Sequence, residues 1–438
     1  MKVDVFTREL VLPLYLALPL LSIAVMMYSI ALYTTVYESR QDKLCEAVKE
    51  SAREATPLAP TPEEMDQHFG CSADPVYPRR HACPSCFHPT ILNHFRDELF
   101  PPVPDEMYLF PRRPAGFFQP RPVRQQNLVK SVLLAPQAVC VDVCPFLVAL
   151  VESVTHDWRT RLEIRRTWAS VAKTNHWPGQ GNLNTRLSVI FVVACDSGYS
   201  EQCAASEWRH LQEEAELFRD LLVLDMVDSS RNLTLKIISG LYWASRHCSR
   251  SKFFLKIDQE TFLNVPVLLD LLAYHEKRLQ RSVTGHIYTQ GRKVQNTGPS
   301  DGSLRDFNMD QFPVFAAGFA YILSREAVGR VVALFPFYPA IGREDAFITG
   351  VLGRGAGLQH FSPPHNIFFA EFSSRISGWC RLLQDGLVTI TGIGSWSQRA
   401  NLWASIISSD SLTARRVGHD HRDRQLEPAC QPLGEHHL

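Results

Sequence analysis

The apolar and polar positions of this chain change rhythm three times. From Leu10 to Tyr37 no charged residue interrupts the sequence. As a helix rising ~1.5 Å per residue this stretch reaches about 40 Å, longer than the ~30 Å hydrocarbon core of a bilayer, and tilt or ends lying among headgroups absorb the excess. Membrane helices tolerate residues such as Pro13 and Pro19. A cleaved signal peptide is the alternative reading, but its apolar core runs to only ~7–15 residues. The pattern predicts a transmembrane signal-anchor helix over 10–37 behind a short tail, 1–9. Lys2 and Arg8 precede the span while Arg40, Lys43 and Lys49 follow it, so flanking charge does not set its orientation.

The second regime, 38–127, has little apolar periodicity and many prolines: Pro57, Pro60 and Pro62 open it, and Pro101, Pro102, Pro104, Pro111, Pro114, Pro120 and Pro122 continue it. Such composition favours extended chain and reads as a stem. It carries Cys71, Cys83, Cys86 and His88. The Cys-x-x-Cys spacing permits zinc but lacks the ligand set of a double knuckle. Disulfides within or between chains are the competing use, and pairing between chains would make a homodimer through the stem.

From 128 to 407 strand and helix signals alternate. Pro145–Val151, Ser188–Ala194, Leu221–Met226, Phe253–Ile257 and Phe315–Leu323 read as buried strands, and Trp158–Ala169, Glu207–Arg219 and Leu233–His247 as helices. This alternation predicts an α/β domain around a mostly parallel sheet. The polar segment 408–438, with His419, His421, His436 and His437, reads as a flexible tail.

Composition narrows the function. Basic and acidic residues balance at 45 each, without the basic footprint of a nucleic-acid binder. Eleven cysteines suit an oxidising compartment, and the odd count leaves at least one free or paired between chains.

Ligands of open α/β sheets bind at the carboxyl ends of strands, and acidic residues gather in two such places. Asp258 and Glu260 follow the strand ending in Lys256-Ile257. They can share a hard divalent cation completed by substrate phosphates, or form a solvated turn. Glu344-Asp345 opens a helix after a loop containing Gly342. That position suits capping and equally keeps an aspartate ionised as a base. Arg161 and Arg165 share a helix face and offer either a phosphate site or a solvated basic surface. Asn232-Leu233-Thr234 is a glycan acceptor sequon or part of a helix start capped by Ser229 or Ser230.

Together these segments resemble the β1,3-glycosyltransferase family of galactosyl- and N-acetylglucosaminyltransferases, across about Phe146 to Trp403. Arg161-Leu-Glu-Ile-Arg-Arg-Thr-Trp168 is similar to its Arg-x-x-Ile-Arg-x-Thr-Trp motif. Asp228-Ser-Ser-Arg-Asn-Leu-Thr-Leu-Lys236 resembles Asp-x-Tyr-x-Asn-Leu-Thr-x-Lys. Lys256-Ile-Asp-Gln-Glu-Thr-Phe-Leu263 stands where the family has Lys-x-Asp-Asp-Asp-x-Phe-Val. Phe312-Pro-Val-Phe-Ala-Ala-Gly318, continuing to Tyr321 and Ser324, and Glu344-Asp-Ala346 resemble two further family motifs. The chain departs from the pattern at Gln259 and Glu260 within the acidic triplet, at Ser230, at Ala346, and at Thr391 or Gly392, where the family carries a histidine.

The resemblance implies a GT-A type, Rossmann-like nucleotide-sugar transferase domain behind the N-terminal transmembrane helix and extended stem. It implies inverting transfer from a UDP-sugar to a glycan acceptor on protein or lipid, in β1,3 linkage. Asp345 would be the base, Asp258 and Glu260 the ligands of Mn²⁺, and Arg161, Arg165, Lys256 and Asp258 the nucleotide-sugar contacts. Gly318 and Glu344 would border the acceptor and donor pocket. Asn232 would carry a glycan, and the domain would face the Golgi lumen from a type II anchor. A catalytically silent, glycan- or partner-binding member of the fold is the alternative that the altered triplet raises.

Overall fold

The computed structural model describes residues 129–416, apart from 138, 141–143, 196–204, 290–311, 339, 364–367 and 373–378. The anchor over 10–37, the stem with its cysteines and the tail from 417 with its histidines therefore lie outside the described residues. Among the described residues no helix is long and apolar enough to cross a membrane.

The core is an eight-stranded sheet. In chain order its strands are β1 (Val132–Leu134), β2 (Leu147–Glu152), β3 (Leu187–Ala194), β4 (Leu221–Leu224), β5 (Phe253–Asp258), β7 (Ser282–Tyr288), β8 (Phe315–Ser324) and β9 (Gln359–Phe361). Their spatial order is β1-β4-β3-β2-β5-β8-β7-β9. A three-stranded sheet stands beside it, formed by β6 (Phe262–Leu263), β10 (Phe369–Glu371) and β11 (Thr389–Thr391) in the order β10-β11-β6.

The near-continuous apolar run of β2, Leu-Val-Ala-Leu-Val, suits a parallel strand covered on both faces. Leu147, Ala149 and Val151 belong to one core, with residues of helices α1 (Trp158–Arg166), α2 (Ala205–Phe218), α4 (Val265–Tyr274) and α6 (Trp396–Arg416). Val148 and Leu150 belong to the other, with residues of α3 (Leu233–His247), α5 (Arg325–Leu334) and the π-helical segment Ala346–Leu352. Helices on both faces of the sheet are the α/β layering the alternation predicts.

Strands β4-β3-β2-β5 are parallel, and β9 pairs in parallel with β7 at the far edge. Strand β8 runs antiparallel to both β5 and β7, so the sheet is mixed where a mostly parallel one was expected. The chain leaves β2 toward β3 and β4, then returns through α3 to place β5 on the other side of β2. That reversal is a topological switch point, and it opens a crevice at the carboxyl ends of these strands.

Helix α1 stops at Arg166, short of the expected Ala169, and tightens into a 3₁₀ turn at Trp168–Ser170. Thr167 Oγ1 donates to the Glu163 carbonyl at 2.7 Å, a back-bond that competes with helical continuation. Helix α6 continues beyond the expected boundary at 407 to Arg416. A disulfide joins Cys140 to Cys248 at the end of α3 across 108 residues. Cys144 and Cys195 are also disulfide-bonded.

Candidate active site

Three elements bring the acidic clusters together at the crevice. Strand β5 ends in Lys256-Ile257-Asp258, β8 runs beside it through Gly318 and Tyr321, and Glu344-Asp345 leads into the π-helical segment. Lys256 is the hub. Its Nζ donates to Asp258 Oδ1 and, at 2.5 Å, to the Gly318 carbonyl, and lies 3.6 Å from Glu344 Oε2. Burial opposes its charge, but Asp258 and Glu344 outweigh that and hold Lys256 protonated well above the ordinary lysine range.

Glu344 is buried and accepts from the Tyr321 hydroxyl. Burial pushes its carboxyl up to about 7, with Lys256 pulling the other way and neighbouring Asp345 adding to the rise. Asp345 has one oxygen fixed: Oδ1 accepts from Arg343 Nε at 2.9 Å and from the Ala346 amide at 2.8 Å. Its Oδ2 faces Gly318, where a β-carbon would approach within 3.2 Å. The capping and base readings of Asp345 are therefore compatible: one oxygen holds the helix start while the other faces β8.

A second lysine continues the network. Lys236 of α3, fully buried, donates to Glu152 Oε1 at 2.8 Å, to the Ser153 carbonyl at 2.7 Å and to Asp228 Oδ2 at 3.0 Å. Glu152 is in register with Asp258 on the neighbouring strand, so two lysine–carboxylate groups stand side by side at the strand ends. Glu152, Thr155, His156, Ala194, Asp228 and Ser229 are among the residues lining a cavity of about 420 Å³. Burial raises the Asp228 carboxyl above its usual range, against the pull of Lys236.

Of the residues singled out in the sequence, Lys256, Asp258, Gly318, Glu344 and Asp345 meet here. Glu260 lies on the exposed turn after β5, and its carbonyl accepts from the Ile393 amide at 2.9 Å. No group of three or more His, Cys, Asp or Glu able to hold a metal gathers among the described residues. Asp258, whose Oδ1 accepts from Lys256, and Glu260 stand two residues apart at the end of β5. The Asp258 side chain is 38% exposed and reachable by a ligand.

The two arginines are placed otherwise than the resemblance implies. Every N–H of the buried Arg161 guanidinium is spent inside the protein: on Glu214 at 2.8 and 2.7 Å, Ser153 Oγ at 3.1 Å, and the Val154 and Thr155 carbonyls at 2.6 and 3.1 Å. Arg165 pairs with Glu214 at 2.7 Å and with both oxygens of Asp220 at 2.8 Å, between the rings of Phe191 and Phe218. Burial pushes Glu214 up, yet the two arginines outweigh it and hold it below the carboxylate range. Both guanidiniums are structural. Arg161 acts on the site indirectly, by fixing the carbonyls of the loop after β2.

Ser229 is the cap of the short 3₁₀ turn before α3, accepting from the Asn232 amide at 3.3 Å. The Asn232 side chain donates to the Val227 carbonyl at 2.9 Å, and Thr234 is buried with its hydroxyl on the Ile341 carbonyl at 2.6 Å. Glu152, Lys236 and Tyr321 were not assigned to the site from sequence. The available signals were a charged residue closing an apolar strand and the positions of Asp228, Lys236 and Tyr321 within the motifs.

Residues 159–364 match the family model described as Galactosyltransferase. Human β-1,3-galactosyltransferase 5 is 27% identical over 238 residues, covering 53% of this chain and 72% of that protein. Human β-1,3-galactosyltransferase 9 is 28% identical over 257 residues, covering 58% of this chain and 62% of that protein. Among solved structures, the bifunctional glycosyltransferase WbbM aligns at a TM-score of 0.30 with 8% identity, over 60% of this chain and 47% of its own. The protein is a glycosyltransferase. More particularly, its residues 159–364 resemble the galactosyltransferase family, and the β-1,3-galactosyltransferases are among its relatives.

Proposed function

We propose that this chain moves galactose or an N-acetylhexosamine from a UDP-sugar to a hydroxyl of a glycan on protein or lipid, forming a β1,3 linkage with inversion. The observation that carries this reading is the meeting of Asp345, Glu344, Lys256 and Asp258 around Gly318, beside the cavity at the ends of β2 and β3. The nucleotide half of the donor would occupy that cavity, the place where open α/β sheets bind ligands.

Inversion needs a base on the face of the sugar opposite the leaving diphosphate. Asp345 suits that role, because its oxygen toward Gly318 is aimed while the other is held by Arg343 and the Ala346 amide. It would take the proton of the acceptor hydroxyl as the new bond forms. Lys256 and Tyr321 keep Glu344 in place behind it. Asp258 and Glu260 would hold Mn²⁺, which supplies positive charge to the departing diphosphate when bound.

The disulfide between Cys140 and Cys248 supports an oxidising compartment, and with the 10–37 segment supports a type II Golgi membrane protein whose domain faces the lumen. The experiment is incubation of the full-length chain with each UDP-sugar and a panel of simple acceptors, followed by NMR of the product. A β1,3-linked disaccharide is expected. An α-linked product would overturn inversion, and another ring position would overturn the regiochemistry.

A further inference from the structure

The acidic triplet is one of the places where this chain departs from the family pattern, and its middle residue has partners of its own. Gln259 Nε2 donates to Asp157 Oδ2 at 2.8 Å. The Gln259 carbonyl accepts from Arg399 Nη2 at 2.5 Å. Asp157 occupies the N-cap position of α1 yet makes no side-chain capping bond. Its carboxylate, which that position would normally direct at the helix amides, serves Gln259 instead. Arg399 of α6 is 1% exposed, and its Nε and Nη1 have no hydrogen-bond partner among the described residues. The carboxylates of Asp157, Glu163 and Glu260 act on it electrostatically. Gln259 thus joins elements 102 residues before it and 140 residues after it.

The chemistry of the amide matters here. Neutral, and a donor, it can face the Asp157 carboxylate at hydrogen-bond distance. A carboxylate at the same place would set two like charges about 3 Å apart, which cannot both remain ionised without cost. An acidic residue in place of Gln259 would therefore carry a cost against Asp157 as this chain places it.

We propose that Gln259, with Asp157 and Arg399, forms a positioning latch that sets the Asp258–Glu260 turn against the loop after β2, so the glutamine is fitted to this chain's donor site. The latch rests on the donor-site reading above. Asp157 follows Val154, Thr155 and His156, which line the cavity, while Gln259 lies between the two carboxylates assigned to the diphosphate. The latch therefore fixes the nucleotide half of the site relative to the diphosphate half, and Arg399 of α6 anchors the same residue through its main-chain carbonyl.

The test is a double-mutant cycle on the full-length chain. UDP affinity by calorimetry and the melting temperature are measured for the wild type, Gln259→Glu, Asp157→Asn and the double variant. Gln259→Glu is isosteric and adds only charge. It is expected to weaken UDP binding about tenfold or more and to lower the melting temperature. The double variant keeps one amide and one carboxylate with their roles exchanged, and is expected to recover both quantities, UDP affinity to within about threefold of wild type. Gln259→Glu binding UDP as tightly as wild type, or a double variant no better than Gln259→Glu, would overturn the latch. A wild-type chain that fails to bind UDP would sink the donor-site reading instead. The latch would then be decided on melting temperatures, by recovery or its absence in the double variant.

Discussion

The Tyr321 hydroxyl donates to Glu344 Oε1, joining β8 to the residue immediately before the candidate base. Both groups are buried, so the bond fixes the approach of the Glu344-Asp345 segment to the sheet in a region where water does not compete. Lys256 approaches the other oxygen of Glu344 at 3.6 Å.

Glu344 makes stability pH-dependent in a defined direction. Its carboxyl is pushed up to about 7, chiefly by burial. The folded state therefore keeps a proton that the unfolded chain releases near the ordinary glutamate range. This contribution to stability is fully present below that range and is lost as pH rises through about 7. Urea unfolding of wild type and Glu344→Gln at pH 5 and pH 8 checks it. The wild type is expected to lose stability relative to the variant between the two values.

Gly318 is required by Asp345. An added β-carbon would lie 3.2 Å from Asp345 Oδ2, closer than such contacts normally come, and in contact with its Cβ at 3.4 Å. Gly318→Ala is expected to displace the carboxylate and lower kcat about 10- to 100-fold, as small misplacements at reacting centres do. Steady-state kinetics with the donor varied should show this loss with little change in donor KM.

Arg161→Met separates the structural role from nucleotide binding. Removing the guanidinium leaves Glu214 buried without one of its two cations and strands the Val154 and Thr155 carbonyls. Breaking such a buried pair costs about 3–5 kcal/mol, so the midpoint of urea unfolding should fall sharply. A variant with unchanged stability and a raised donor KM would restore the arginine to the nucleotide site.

The Cys140–Cys248 bond closes a loop of 108 residues. Replacing both cysteines with serine is expected to cost about 2–5 kcal/mol of stability. Denaturation of the variant beside the oxidised wild type measures it.

The sequence was most informative where neighbours in the chain decide the outcome. The helical spacing of Leu233, Ile237, Leu241 and Ala244 predicted α3 with its observed limits, Leu233–His247. The apolar run before Lys256 placed the acidic turn at the end of β5. Strand β7, Ser-Val-Thr-Gly-His-Ile-Tyr, was not singled out because its polar residues break the apolar signal. It is held instead by pairing with β8 and β9. Arg161 and Arg165 were misread for a related reason. Their carboxylate partners, Glu214 and Asp220, stand 49 to 55 residues away, and local spacing gives no sign of them. The two lysines of the site were legible as motif members, but their pairing with Glu152 and Glu344 needs the sheet.

The central claim is tested most directly by UDP release from the full-length chain. UDP-galactose, UDP-N-acetylglucosamine and UDP-N-acetylgalactosamine would be compared over a panel of acceptors, for wild type and Asp345→Asn, with UDP binding measured in parallel. The account predicts acceptor-dependent release by the wild type with one of the donors. It predicts that Asp345→Asn lowers this by about 10²–10⁴-fold, the scale of general-base catalysis, while still binding UDP. Turnover by Asp345→Asn at the wild-type rate would contradict the assignment of the base, and a folded wild type that releases no UDP with any donor would contradict the proposed transfer itself.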